Sequence, residues 1–426
     1  MKNEMYFYSI TPKLININKN TEITVKPLDT RYNFEDDMEY LIEILPLTRN
    51  SRFFNQTDDN KVISKGAGNS LKFSYTFDKE EEYYIRIYKK GSNERLIQLS
   101  VYALEDDLYN RRPLKGDLHV HSCRSDGNET PPVVIANYRY AGFDFMGLTD
   151  HGRFFPSAEG IEAYKDVDLG MALFTGEEVH TPENYVHVVH FGGKYSVNDL
   201  FLKNDELYRK EVDEIIDSEE IPFEDKYTYA SCLWEARKIR EAGGLCIYPH
   251  PHWISNVHNV PDELSYLFLT KNIFDAFELI GGQSAHENNM QTAFYNQLRS
   301  EGYKIPVVGS SDSHGTINRG LFDKMYTIVF AGEYEHDNIL QSIKDCYSVA
   351  VEVYNDSVNY SVHGEYRLVS YARFLIENYF AFTALLCQEE GLLMRQYLLG
   401  ICGAKERLSK LKNRVTNYYN LCSGRK

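Results

Sequence analysis

Asp117-Leu118-His119-Val120-His121-Ser122 is the stretch from which both the fold and the chemistry of this chain are read. A β-strand projects residues i and i+2 to one face, so His119 and His121 would present two imidazoles side by side, an arrangement that suits a metal ion. A His-x-His pair also arises in cores and on surfaces, so its company decides. Here Thr149-Asp150-His151, Gly176-Glu177-Glu178, His187, His250 and Asp312-Ser313-His314 follow, each at the end of an apolar run.

Those runs set the architecture. Short apolar segments at Phe143 to Leu148, Met171 to Phe174, Val186 to Phe191, Leu245 to Tyr248, Ala276 to Ile280, Val307 to Gly309 and Tyr326 to Phe330 alternate with helical candidates. The helices are expected at Pro132 to Tyr140, Cys232 to Ala242, Glu287 to Ser300 and Asp337 to Cys346. Repeated strand-helix alternation predicts an α/β fold with a parallel sheet or a barrel. His121, Asp150-His151, Glu178, His250 and Asp312-His314 fall at the C-terminal ends of successive strands, where α/β barrels gather their reacting groups. The acidic stretch from Leu202 to Asp225 interrupts the rhythm and reads as a solvated helix with a loop, or as a lid over the strand ends.

On either side the pattern changes. Up to about Asn110 it has period two. Tyr84 to Lys90 and Arg95 to Val101 flank the turn Gly91-Ser92-Asn93-Glu94 as a β-hairpin, and Tyr6 to Ile10, Glu22 to Val25, Tyr40 to Leu45 and Leu71 to Phe77 fit further strands. Ser51 to Ser70 reads as loop. A small antiparallel sandwich is expected, serving as an accessory module. From Glu365 the helical period returns through Leu368, Tyr371, Leu375, Tyr379, Phe382 and Leu386, and a further helix is expected from Ala404 to Tyr419. Glu377 and Asn378 interrupt that apolar run, which argues against a membrane span. These helices, like the β region, are candidate homo-oligomer contacts.

Composition narrows the function. The chain has 426 residues, enough for more than one domain, and a net charge of -16, which argues against general binding to nucleic-acid backbone or anionic membrane. No apolar h-region opens it and no run is long enough to span a bilayer, so a cytoplasmic protein is expected. Seven cysteines without a C-x-x-C pair read as reduced, mostly buried thiols.

Taken together, Asp117-Leu118-His119-Val120-His121-Ser122, Ser125-Asp126-Gly127, Leu148-Thr149-Asp150-His151, Gly176-Glu177-Glu178-Val179, His187-Val188-Val189, Tyr248-Pro249-His250-Pro251 and Ser311-Asp312-Ser313-His314 closely resemble the PHP (polymerase and histidinol phosphatase) family of metal-dependent phosphoesterases. The resemblance covers about Leu114 to Ala350. It implies a distorted (β/α)7 barrel, placed over 111–352; the β-rich accessory domain over 1–110 and the helical extension over 353–426 fall outside the resemblance and are read from periodicity alone. It also implies two to three divalent ions at the C-terminal face. His119, His121, Glu178 and Asp312 would hold one, Glu178 would bridge to a second that takes His187 and His250, and Asp126, His151 and His314 would hold the third. All nine positions carry ligand-capable residues.

The residue chemistry agrees. Imidazoles mixed with carboxylates suit manganese, zinc or iron better than magnesium or calcium. Three divalent cations against the carboxylates of Asp126, Glu178 and Asp312 leave a local surplus of positive charge, a phosphate trap on an acidic protein. The expected reaction is attack on phosphorus by a hydroxide bridging the ions, with Arg153, Arg319 or Arg124 neutralising phosphate oxygens. For each arginine a structural ion pair is the competing role. His252 is a candidate general acid, with an orienting or purely structural role as the alternative. Asp150 is expected to orient a ligand from behind. Glu177, His180 and His190 are set aside as neighbours of better-placed residues, His258, His286, His336 and His363 as surface or satisfied histidines, and Gly281-Gly282 as a turn. The favoured function is hydrolysis of a small phosphorylated metabolite such as a nucleotide or sugar phosphate. The alternatives are a nuclease acting on strand ends and a metal-binding regulatory module without turnover.

Overall fold

The computed structural model describes residues 7–48, 58–317, 320–354 and 359–425. It divides into two compact units, one of Met1–Arg111, Ser370–Leu385 and Asn413–Lys426, the other of Arg112–Val369 and Leu386–Lys412. The stretch 353–426 is therefore shared between the units.

The first unit carries β1 (Tyr8–Thr11), β2 (Leu14–Asn16), β3 (Asn20–Pro27), β4 (Glu39–Pro46), β5 (Lys61–Ala67), β6 (Ser70–Thr76), β7 (Glu81–Lys89) and β8 (Arg95–Leu104). They form one sheet in the order β1-β3-β6-β5-β4-β7-β8-β2, antiparallel except where β2 joins β8. Inward residues stack across strands, with Ile42 opposite Ile87, Ile44 opposite Ile85, and Ile85 opposite Leu99. Ile23, Val25, Leu71 and Phe73 from one half of the sheet share a core with Ile42, Ile44, Ile87 and Val101 from the other. The sheet thus curls over its own core, and the expected pair of separate sheets is one continuous sheet.

The strand that makes it continuous is β5, inside a stretch whose sequence reads as loop. Only Gly66 is buried along it, so no apolar alternation marks it; its place comes from backbone pairing with β4 and β6. Gly66 is required there, because a Cβ would lie 2.3 Å from the Glu35 carbonyl oxygen.

The second unit is α/β, with two mixed sheets. One is ordered β11 (Ala172–Phe174), β10 (Phe145–Gly147), β9 (Arg112–Asp117), β17 (Met325–Ala331), β18 (Ser348–Val353), β19 (Tyr360–His363); the other runs β12 (Gly176–Val179), β13 (Val188–Phe191), β14 (Leu245–Tyr248), β15 (Ala276–Ile280), β16 (Val307–Gly309). Within them β9-β10-β11 and β14-β15-β16 are parallel, as strand-helix alternation requires. The β12-β13 and β13-β14 pairs are antiparallel, a departure from an unbroken β/α repeat. The cause is local: no helix separates β12 from β13, and a parallel crossover needs one.

Leu114, Phe145 and Phe174 from one sheet and Val189, Leu245, Ile247 and Val308 from the other share one interior. Helices Pro131–Tyr140, Lys226–Glu241, Ala285–Ser300 and His336–Lys344 stand where helices are expected. Lys226–Glu241 begins six residues before the expected Cys232, because the Asp225 side chain caps it by accepting from the Thr228 N–H. The acidic stretch contains helix Asp205–Ser218, which buries Tyr208, Val212 and Ile215 and leaves its acids outward except Glu211, which accepts from Trp234 Nε1 at 2.6 Å. Isolated parallel bridges join Val120 to Ser313 and His151 to Glu178, tying together the strand ends that carry the polar residues.

Candidate metal centre

β9 ends at Asp117, and the two residues of the His-x-His follow it. Val120 between them donates its N–H to Thr149 Oγ1 at 3.0 Å and accepts from the Thr149 N–H at 2.8 Å. That clamp fixes the backbone so that both rings turn the same way. His119 Nε2 lies 3.4 Å from Glu178 Oε2 and 3.4 Å from Asp312 Oδ1, while His121 Nε2 lies 2.9 Å from the same Asp312 oxygen.

Glu178 stands at the centre. Its Oε2 faces His151 Nδ1 at 2.6 Å, and its Oε1 faces His187 Nδ1 at 2.7 Å and His250 Nε2 at 3.4 Å. Farther out, Asp126 Oδ2 lies 3.5 Å from His151 Nε2 and 3.2 Å from His314 Nε2. All nine side chains named from the resemblance therefore converge. Their nitrogens and oxygens form overlapping groups, among them His119-His121-Asp312, His119-Glu178-His250 and His121-Asp126-His151-His314. His119, His121 and Glu178 are buried, whereas the Asp126 side chain is 54% exposed, so the outer group is the one open to solvent.

Two of the nine sit on strained backbone. His250 has φ +26° and Asp312 φ +48°, a region that side-chain-bearing residues avoid and that concentrates at functional sites. The electrostatics are equally unusual. Burial alone would push the His119 imidazole down, but the Asp312, Glu178 and Glu278 carboxylates outweigh it and hold its pKa well above the ordinary value. Burial wins at His187, whose pKa falls to about 4. Glu178, despite a burial that would raise it, is held well below the carboxylate range by the surrounding imidazoles, His119 foremost.

Whether these residues fit metal ions is tested by their unmet valences. His119 Nε2, His121 Nε2, both oxygens of Glu178 and His187 Nδ1 are buried and make no well-formed hydrogen bond, although they approach one another closely. Buried polar atoms are rarely left so. Lone pairs of two imidazole-carboxylate sets aimed inward are what divalent cations with nitrogen and oxygen ligands require.

Two residues that sequence reasoning missed belong here. Glu278, fully buried, places Oε2 3.0 Å from His119 Nδ1 and so orients that ring from behind. Its signal was legible: a lone carboxylate inside the apolar run Ala276-Phe277-Glu278-Leu279-Ile280. His180, set aside as a wrong neighbour, lies 2.9 Å from His151 Nδ1 and 3.6 Å from Glu178 Oε2. It is two residues beyond Glu178, and period two puts both on one face. Glu177 and His190 pair with each other on the opposite side at 3.2 Å.

The remaining candidates are distributed differently. Asp150 accepts from the N–H and Oγ–H of both Ser122 and Ser125, holding the loop that carries Asp126 rather than touching a ligand ring. Arg124 is taken up by Glu159 through bonds of 2.8 and 2.7 Å. Arg153 is exposed and donates to the Arg124 carbonyl. Arg319 lies outside the described residues. His252 turns to Asp262, at 3.3 Å, and to the His258 ring, and forms a separate group with these two.

No family model and no curated protein matches the chain. Among solved structures it is similar to a two-domain protein from Bacteroides vulgatus containing a predicted PHP-like metal-dependent phosphoesterase (TM-score 0.41, 17% identity, 60% of this chain and 76% of that one). It is also similar to a protein from Bifidobacterium adolescentis described as a metal-dependent phosphoesterase (TM-score 0.35, 18% identity, 47% of this chain and 88% of that one). A third is an amidohydrolase from Chromobacterium violaceum (TM-score 0.32, 18% identity, 48% of this chain and 88% of that one). No helix among the described residues is long and apolar enough to cross a membrane.

Proposed function

We propose that this protein is a metal-dependent phosphoesterase that hydrolyses a small phosphorylated metabolite, such as a nucleotide or sugar phosphate. The observation that carries the reading is the convergence of nine His, Asp and Glu side chains, Glu178 and Asp312 among them, with buried lone pairs unmet. His119, His121, Glu178 and Asp312 would hold one ion, and His187 and His250 a second. Glu178, with one oxygen toward each set, is the residue two ions would share. Asp126, His151 and His314 would hold a third at the exposed rim. When bound, divalent ions supply positive charge to phosphate oxygens and a water acidic enough to attack phosphorus.

The chain's own contribution is orientation and charge. Glu278 fixes the tautomer and angle of His119, and Asp150 holds the loop bearing Asp126. Arg153 pairs with no carboxylate among the described residues, so its charge is available to a phosphate oxygen at the rim. Trp253, 41% exposed, sets its ring 6.2 Å from His187 and 6.1 Å from His250, where the alcohol portion of an ester would lie.

The test offers protein loaded with manganese p-nitrophenyl phosphate, a panel of nucleotides and sugar phosphates, and end-labelled single-stranded DNA. Phosphate release from small esters that disappears in His119→Ala and Asp312→Ala is expected. Shortening of DNA would assign a nuclease, and silence on every substrate with metal bound would assign a regulatory module. In Glu178→Ala, elemental analysis is expected to show more than one equivalent of metal lost; full metal content would contradict the shared-ligand role.

A further inference from the structure

Within the first unit, Lys13 is anchored by backbone bonds, its N–H donating to the Cys422 carbonyl and its carbonyl accepting from Tyr102, both at 2.8 Å. Its side chain is only 7% exposed. Nζ donates to the Asn378 carbonyl at 3.2 Å and to Tyr418 Oη at 3.3 Å. An ammonium has three N–H donors and one full charge. Among the described residues no carboxylate pairs with it, so one donor and the charge are left over. A buried charge without a counter-ion is costly, and burial lowers this lysine's pKa accordingly.

Lys13 lines a cavity of about 330 Å³ whose other walls are mainly apolar, including Ile10, Leu99 and Tyr418. The apolar lining continues to the surface through Leu28, Phe382 and Leu421, which are 60%, 39% and 54% exposed. That volume falls within the range of small-molecule sites. A hollow with one buried cation at its wall, walls that are mainly apolar, and only neutral polar groups such as Ser9, Thr11 and Gln98 among its other residues is complementary to a monoanion with an alkyl chain. A phosphate dianion would need more donors, and no second cation is among the residues lining the cavity.

We propose that this cavity binds an aliphatic monocarboxylate, its carboxylate on Lys13 Nζ and its chain running past Ile10 and Leu99 to Leu28, Phe382 and Leu421. The site is separate from the candidate metal centre and does not depend on the reading given for it.

Calorimetric titration of the full chain with octanoate, decanoate and decanol tests this. One equivalent of decanoate is expected to bind, more tightly than octanoate by roughly fifteenfold, since each of the two additional buried methylenes contributes about fourfold in affinity. Lys13→Met, which keeps the volume and removes the charge, should weaken decanoate at least tenfold and leave decanol unchanged. Asp312→Ala should bind decanoate as the natural chain does, which separates this site from carboxylate uptake at a metal ion. Leu28→Glu alters an exposed mouth residue and should also weaken decanoate, which keeps the test sound if Lys13→Met does not fold. Absence of decanoate binding, equal affinity in both variants, or a preference for decanol over decanoate would overturn the proposal.

Discussion

Glu278 separates orientation from ligation. It touches His119 Nδ1, whereas Glu178 and Asp312 face Nε2 on the other side of the ring. Glu278→Gln is expected to lower metal affinity about 10- to 100-fold, the usual cost of losing such a partner, while all nine ligand side chains remain. A chelator competition series reads this directly, and unchanged affinity would remove Glu278 from the site. A second residue, Glu235, governs stability rather than chemistry. Buried without a charged partner and bonded to Thr181 Oγ1 at 2.6 Å, it has its pKa raised by desolvation from 4.5 to about 8. Between those two pH values the folded state holds a proton that the unfolded state has released. Stability therefore falls as pH rises through that window. Glu235→Gln should flatten that decline, giving a smaller loss of denaturation midpoint between pH 5 and pH 8, values chosen about the edges of that range. An unchanged slope would mean that Glu235 does not titrate as inferred.

At the scale of elements, loop 249–261 is fastened to helix Ala285–Ser300. Ser284 and Glu287 form a capping box, and Glu287 Oε1 also accepts from the Ile254 N–H at 3.0 Å. One carboxylate thus closes the helix and pins the hairpin in which Ile254 pairs with His258, beside Trp253. Ser284→Ala should cost about 1 kcal/mol in urea denaturation through the lost cap, and should loosen the hairpin enough for faster amide exchange at Ile254. Protection at Ile254 equal to that of the natural chain would uncouple the two. Elements of this kind were legible where burial is periodic: Ile85 and Ile87 alternate along β7, and the apolar runs of the second unit coincide with strands. They were not legible where tertiary pairing substitutes for pattern. β5 buries only Gly66, which has no side chain, and β2 is three residues long.

At the scale of the molecule, the chain returns on itself after the last strand. Arg139 in helix Pro131–Tyr140 and Glu390 are 251 residues apart yet form a buried pair, with Arg139 Nε 2.8 Å from Glu390 Oε2, and Glu390 also accepts from the Gly170 N–H at 2.6 Å. This pair is one reason Leu386–Lys412 belongs with the second unit rather than standing apart. Glu390→Ala should destabilise that unit by about 3 kcal/mol, because it leaves the buried Arg139 guanidinium with only the longer contact to Asp144, at 3.7 Å, as its charge partner. Replacing both partners, Arg139→Met with Glu390→Leu, should recover part of the loss in a denaturation series, the buried Asp144 carboxylate then losing its contact with Arg139. A double variant no more stable than Glu390→Ala would show that the pair is not what costs the energy.

By itself the sequence determined the α/β class of the central region, the strand-end positions of its polar residues and, through the ordered His and Asp motifs, which side chains to examine together. Those are properties of periodicity and spacing, carried by neighbours along the chain. Only the tertiary structure decided that Glu178 sits between two sets of imidazoles, that Glu278 stands behind His119, that His252 turns away toward Asp262, and that Lys13 is left without a counter-ion in an apolar hollow. Each depends on residues brought together from distant segments, and the energy of burying a charge is set by what folds around it.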